Sequence, residues 1–379
     1  MARHRDELGE TSLRPAYKPK FEFRHAAPKK GKRKLRSPLW TKLCVFFGVV
    51  LILLSTSAYG AQRFLTERYE KNVHREDLLG SNRDAAATKI DGALNFLILG
   101  TDKRTKEDED PNDESTRTWH SNNGERSDTI ILLHIPEDQS RAYVISIPRD
   151  SYVSIPASDD GKYEGGKAKI NAAFNYGGAA LTVSTVNKLM GITINYPMIM
   201  KFKALREIVD AVGGVDVTID EETTDPRTGR TWEPGPQHLT GKDAEDYARQ
   251  RYGLPRGDYD RQARQQQVIN AVSAKMQNQG ILSSTSKLDK MLKTITGNLT
   301  VDESMPIADL VFSLKHLRPG NITYLTVPVA QSDVKINGES SEILDEDLML
   351  EYGEAINDGT LEEFLNAHPN LRNDPSHGA

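Results

Sequence analysis

A single cysteine, Cys44, stands among 379 residues, and it lies inside an apolar run. Any folded part beyond that run has no disulfide to staple it and must be held by a hydrophobic core. The chain is long enough to build one. Exported eukaryotic domains of this size commonly carry disulfides, so their absence points towards a bacterial cell envelope. No glycine-rich P-loop is present, which argues against a nucleoside triphosphate as substrate. No Ser-His-Asp or Cys-His arrangement stands out either: His134 sits within an apolar strand pattern and His238 in a loop, neither with an obvious partner. Internal repeats are absent. The net charge of −5 excludes the chain as a polyanion binder by bulk charge.

That average hides an asymmetry. The first 42 residues carry a Lys/Arg excess, concentrated in Lys29–Arg36, and the remainder is acidic on balance. Residues 1–38 are rich in Pro, Lys and Arg and lack periodicity, the composition of a disordered tail. Leu43 to Tyr59 carries no charge, and with Leu39 and Trp40 the run over 39–60 reaches the ~20 residues a helix needs to cross a bilayer. The basic block precedes it and mixed charges follow, so the N-terminus is expected in the cytoplasm and the rest outside the cell. A cleaved signal peptide is the competing reading, but the n-region is very long for one. Residues 61–92 then read as a helical stalk and polar linker.

Globular structure is expected over 93–360, with 361–379 as a tail. Leu94–Leu99, Asp128–Ile135, Tyr143–Ile147, Tyr196–Met200, Val215–Ile219 and Asn321–Val327 read as strands. Helical patterns cover 169–176 and 179–190, split by Gly177-Gly178, and then 202–212, 241–248, 258–279, 286–296, 305–315 and 342–356. Thr223 to His238 reads as a Pro/Gly/Thr loop, and 103–125 as a mobile acidic insert without EF-hand spacing. The alternation predicts an α/β fold, a central mixed sheet flanked by helices in a single domain after one membrane helix.

The chemistry gathers between Asp243 and Gln267. Arg249, Arg251, Arg256, Arg261 and Arg264 crowd this stretch, which has no Lys. Arg presents a planar fork suited to phosphate and carboxylate, whereas Lys is a mobile point charge. In an extended chain Arg249 and Arg251 would share a face. Asp258 stands where a helix N-cap belongs, and Val268, Ile269, Val272 and Met276 recur as the buried stripe of the helix that follows. Arg261 and Gln265 fall close to that face, where an Arg is expensive unless it meets an anion. Two readings stand open at this point: an anion site, or internal ion pairs to Asp246, Asp258 or Asp260.

Polar residues also collect at strand ends, where open α/β sheets bind ligands: Asp102 after the first strand, Arg126 and Asp128 before the second, Arg149 after the third. Two carboxylates and several guanidinium groups suit a diphosphate bound with a divalent ion, magnesium or manganese in its place, on Asp102 and Asp128. The arginines would then neutralise the remaining phosphate charge.

Six ordered blocks carry a resemblance: Leu99–Arg104, Arg126–Thr129, Ser146–Asp150, Lys169–Ala173, Tyr247–Arg251, and Gly257–Gln262 with Arg264-Gln265-Gln266. Together they resemble the LytR-CpsA-Psr family over roughly residues 93–330. The resemblance implies an enzyme that moves a glycopolymer, with its phosphate, from a polyprenyl diphosphate carrier onto peptidoglycan, without nucleic acid as partner. It implies that Asp102 and Asp128 hold magnesium, that Arg126, Arg149, Lys169, Arg249, Arg251, Arg261 and Gln265 grip the diphosphate, and that Arg149, Arg249, Arg251 and Asp258 serve catalysis, Asp258 as the candidate base. It further implies a prenyl tunnel lined by Val268 and Val272. Three other readings share the residues: a hydrolase of the same lipid diphosphate, a non-catalytic lipid binder, and a membrane-bound transcriptional regulator, against which the membrane topology argues.

Overall fold

The computed structural model of the protein describes residues 73–86, 92–101, 127–281, 284–307, 309–310 and 319–376. The chain divides into two units, Met1–Ala58 and Tyr59–Ala379, and the described residues all lie in the second. The basic tail, the apolar run over 39–60 and the acidic insert over 103–125 lie outside them. Among the described residues no helix is long and apolar enough to cross a membrane.

An eight-stranded mixed sheet organises the unit. Its order is His74–Glu76, Leu299–Asp302, Tyr196–Lys201, Leu94–Thr101, Ser127–Ile135, Ala142–Ile147, Ile322–Thr326 and Arg372–Asn373. The central strands are near-continuous apolar runs because both faces are covered. Period-two alternation sends Leu97, Leu99, Leu132 and Ile145 to one face, where they pack with Val183, Val186 and Met190 of the helix Asn171–Met190 and Met349 of the helix Glu346–Asn357. Ile131, Val144 and Tyr324 take the other face, against Ile269 of the helix Asp258–Asn278. His134 does have a partner: its Nδ1 lies 2.8 Å from Oδ1 of Asn95 in the buried layer.

Several boundaries differ from expectation. The segment read as linker contributes the edge strand His74–Glu76, and Leu78 and Leu79 are buried in the core, so the fold begins before residue 93. At the other end, the helix Leu361–Ala367 buries Leu361 and Leu365, so residues past 360 are fold and not tail. Lys169 closes the strand Gly166–Lys169, and the helix starts at Asn171; its two halves are divided, as expected, at Gly177 and Gly178. Glu342 lies in the strand Glu339–Leu344, which pairs with Val329–Ile336. The stretch Thr223–His238 is no plain loop. It forms one small hairpin, Thr223–Thr224 with Thr231–Trp232, and a ladder of Gly235–Leu239 with Val215–Ile219. The Val268 and Val272 stripe packs into a second core with Val209, Val215, Val217 and Met291, as an ordinary core would.

Candidate functional site

The strands Leu94–Thr101, Ser127–Ile135 and Ala142–Ile147 bring their polar ends to one edge of the sheet. The first two pair antiparallel in perfect register until the last step, where Gly100 opposes Thr129 but Thr101 opposes Ser127. Asp128 is the extra residue of that bulge, a device that re-aims a strand end. A Cβ on Gly100 would meet Cβ of Thr129 at 2.8 Å, so only glycine lets the two strands close here. Asp102 and Arg126 fall outside the described residues, as does the side chain of Asp128. Its backbone opposes the strand end that leads into Asp102.

The third strand, buried throughout, runs into Pro148-Arg149-Asp150. Ser151 pins that turn, its backbone N–H and its hydroxyl both donating to the Pro148 carbonyl at 3.0 and 2.7 Å. The turn projects Arg149 and Asp150 towards the helix Asp258–Asn278. Asp150 had no assigned role in the sequence reading, yet it is the hub of the site. Its buried carboxylate takes NH2 of Arg251 at 2.7 Å, Nζ of Lys169 at 3.3 Å and Nε of Arg149 at 3.7 Å. These three cations come from a loop, a hairpin strand and a strand end. Lys169 also meets the exposed Glu339 at 2.9 Å. Burial pulls its ammonium down, but the two carboxylates outweigh burial and leave its pKa raised.

A second carboxylate completes the network. Asp258 lies 2.6 Å from NH2 of Arg261 and 3.9 Å from Nε of Arg149, and accepts from Nε2 of Gln262 at 3.0 Å. Asp258 is not the N-cap. That position is Gly257, and Asp258 opens the first turn with its side chain turned into the site. Arg149, Lys169, Arg251, Asp258 and Arg261 thus form one contiguous cluster. Gln265 borders it, donating to Thr129 Oγ1 at 3.1 Å and to the Ala248 carbonyl at 3.2 Å. A crevice between helix and sheet is lined by Thr129, Ser146, Ile147, Arg261, Gln262 and Gln265.

The remaining arginines divide. Arg249 ends the helix Gly241–Arg249, whose start is fixed by a capping box between Thr240 and Asp243. It is therefore helical and does not alternate with Arg251 along an extended chain; NH1 of Arg249 is held by Glu245 at 3.0 Å. Arg256 pairs with Asp260 at 2.6 Å. Arg264 is buried away from the cluster: it donates to Gln250 Oε1 and Thr223 Oγ1, both at 2.7 Å, and its guanidinium stacks 4.4 Å over Tyr247. Sequence reasoning missed Asp150, Glu245 and Thr129, whose signal was no more than their neighbours in the chain. Ion pairs to Asp258 and Asp260 do form, as the ion-pair reading of the arginine run expects.

The two carboxylates read from the sequence as magnesium ligands, Asp102 and Asp128, are hard oxygen donors of the kind magnesium uses, and Asp102 and the side chain of Asp128 lie outside the described residues. Among the described residues no group of three or more His, Cys, Asp or Glu could hold an ion by itself.

The sequence model of the LytR_cpsA_psr family matches residues 56–357. The chain is similar to the cell wall biosynthesis protein LcpA of Corynebacterium glutamicum, 27% identical over 342 residues that cover 84% of this chain and 65% of LcpA. It is 35% identical over 262 residues to the polyisoprenyl-teichoic acid–peptidoglycan teichoic acid transferase TagU of Bacillus cereus, over 68% of this chain and 77% of TagU. The chain therefore spans just under two thirds of the length of the first relative and about three quarters of the second. Among solved structures, protein gbs0355 from Streptococcus agalactiae superposes with a TM-score of 0.59 at 26% identity, covering 72% of this chain and 88% of that one.

Proposed function

The chain belongs to the LytR-CpsA-Psr family, and on that premise we propose that it is a membrane-anchored phosphotransferase working on the outer face of the cell membrane. It moves a phospho-glycopolymer from a polyprenyl diphosphate carrier to peptidoglycan. TagU carries a transfer of this kind in its name, from a polyisoprenyl-linked teichoic acid to peptidoglycan. The observation that carries the proposal is the convergence of Arg149, Lys169, Arg251 and Arg261 on two buried carboxylates at the sheet edge. Arg249, which the resemblance adds to this set, is held by Glu245.

In the proposed reaction an acceptor sugar hydroxyl attacks the phosphorus that bears the glycan. A new P–O bond forms, the bridging P–O bond to the carrier breaks, and polyprenyl phosphate leaves while the hydroxyl proton passes to a base. Arg149, Arg251 and Arg261 stabilise the charge on the equatorial oxygens, and Lys169 and Gln265 orient the diphosphate. Asp102 and Asp128 would hold magnesium, or manganese, which would neutralise charge on the diphosphate oxygens. Asp258 Oδ2 accepts from Gln262, whereas Oδ1 is buried beside Arg261 and accepts no hydrogen bond, which supports Oδ1 as the candidate base. Half-buried Ile98, Leu133, Ile269 and Ile322 on the sheet face next to the helix supply apolar surface for the prenyl chain. The apolar run over 39–60 would hold this site at the membrane where that carrier resides.

The test uses the full chain in detergent with magnesium, a short polyprenyl-diphosphate sugar and soluble peptidoglycan fragments, read by mass spectrometry. A phospho-sugar joined to the fragment is the expected product. Arg149→Ala should lower turnover by about 10²–10³-fold, the effect of removing one oxyanion donor. Normal turnover in that variant would remove Arg149 from the mechanism. Free phospho-sugar alone would convert the reading to a hydrolase.

A further inference from the structure

Glu245 does something that the core around it does not require. It is 4% exposed, on a helix whose other inward residues, Ala244, Tyr247 and Ala248, are apolar. A buried carboxylate is costly unless it is paired and hydrogen-bonded. Both of its oxygens are. Oε2 accepts from Arg206 Nε at 2.8 Å and lies 2.6 Å from Arg206 NH2, while Oε1 accepts from Arg249 NH1 at 3.0 Å. Arg206 belongs to the neighbouring helix Phe202–Ala211, so one carboxylate ties that helix to Arg249 at the C-terminal end of Gly241–Arg249.

Gly241 makes this contact possible. A Cβ there would meet the Arg206 carbonyl oxygen at 2.2 Å and the Asp210 carboxylate at 2.6 Å. The bare glycine instead donates its N–H to Asp210 Oδ1 at 2.8 Å, and the two helices touch one turn before Glu245. The close approach, the capped start of the helix and the two-armed carboxylate all act on the same guanidinium.

We propose that Glu245 is a positioning residue for Arg249, with Arg206 as its fixed anchor, and that it orients the guanidinium for the transferring phosphate at the expense of raw anion affinity. The proposal rests on Arg249 gripping the carrier diphosphate. Arg side chains are rich in rotamers, and holding one edge of the fork removes that freedom before substrate arrives. The same carboxylate offsets part of the positive charge that an anion would feel. The two effects separate in kinetics: orientation acts on kcat, and charge acts on ground-state binding.

The experiment measures inorganic pyrophosphate binding by calorimetry and glycopolymer transfer by mass spectrometry on the full chain. Glu245→Gln should bind pyrophosphate as tightly as the parent or several-fold more tightly, yet lose about tenfold in kcat. Arg206→Gln, at a partly exposed position, should shift kcat in the same direction by less, and carries the test alone if Glu245→Gln does not fold. In an Arg249→Ala background Glu245→Gln should cause no further loss of kcat, the non-additivity of residues acting as one unit. If Arg249→Ala lowers binding and turnover while Glu245→Gln and Arg206→Gln change neither, Glu245 is only part of the packing and the proposal fails. If Arg249→Ala is itself without effect, the phosphate-gripping role of Arg249 falls and takes the proposal with it.

Discussion

Arg264 is the largest fully buried side chain among the described residues, and its guanidinium is satisfied by an amide, a hydroxyl and an aromatic face. Burial pulls its pKa down from the ordinary arginine value. Arg261, one turn earlier, faces Asp258 and the site. Arg264→Met nearly keeps the volume and removes both hydrogen bonds, so Gln250 Oε1 and Thr223 Oγ1 lose this donor in the interior. It should destabilise the fold by about 1–3 kcal/mol. Pyrophosphate affinity of the folded fraction should stay within about twofold, since the guanidinium is engaged by Gln250, Thr223 and Tyr247. Thermal unfolding and calorimetry on the same preparation check this, and a tenfold loss of affinity with unchanged Tm would return Arg264 to the site. Helical spacing set Arg261 with Gln265 near the buried face, and the sequence reading chose Arg261 and not Arg264 for the site. The residue types pointed to an ionic cluster, but which member enters it depends on the angle at which the helix meets the sheet. Asp150 was illegible for the same reason, because the three cations it collects come from Lys169, Arg149 and Arg251, far apart in the chain.

Elements were read best where periodicity was long. The helix expected over 258–279 is observed as Asp258–Asn278, and the central strands fall close to their apolar runs. Its stripe divides: Val268 and Val272 enter the second core while Ile269 turns to the sheet. Short two-residue pairings such as Thr223–Thr224 with Thr231–Trp232 carry too little pattern to register. The N-cap of the arginine helix was misassigned to Asp258 because the true capping residue, Gly257, has no side chain to read. Gly257 holds φ 55° and ψ −108°, a conformation that L side chains rarely adopt, and a Cβ there would meet nothing within 4 Å. The cost of Gly257→Ala is therefore backbone strain alone, about 1–3 kcal/mol. Because Asp258 and Arg261 occupy the next turn, pyrophosphate affinity should fall with stability. Gly229→Ala, at φ 70° in the turn of the small hairpin with equally open space, should cost stability and leave affinity alone. Equal affinity losses in both variants would mean that the helix start does not set the site.

At the scale of the whole molecule the sequence reading began the domain too late, at residue 93, because the preceding stretch is polar and charged. Its contribution is made by few residues. His74–Glu76 adds a parallel edge strand to Leu299–Asp302, Leu78 and Leu79 enter the core, and their backbone N–H groups donate to Asp302 Oδ2 at 2.9 and 3.1 Å. Arg83 reaches the same carboxylate at 3.2 Å. Asp302 is wholly buried, so removal of these partners strands a charge in the interior. A chain begun at residue 93 loses two buried leucines, about 3–6 kcal/mol of burial at the usual value per side chain. The Asp302 carboxylate, deprived of Leu78, Leu79 and Arg83, adds to that loss. Against a domain stability of about 5–15 kcal/mol, the deficit is a large fraction of the whole. Residues 93–379 should therefore unfold well below the Tm of residues 61–379, or fail to fold, and Asp302→Asn should recover part of the difference by removing the unpaired charge. Thermal unfolding of the three proteins side by side decides it. Equal Tm values for the two lengths would reduce the edge strand to an appendage, and leave the strand Leu299–Asp302 able to close the sheet by itself.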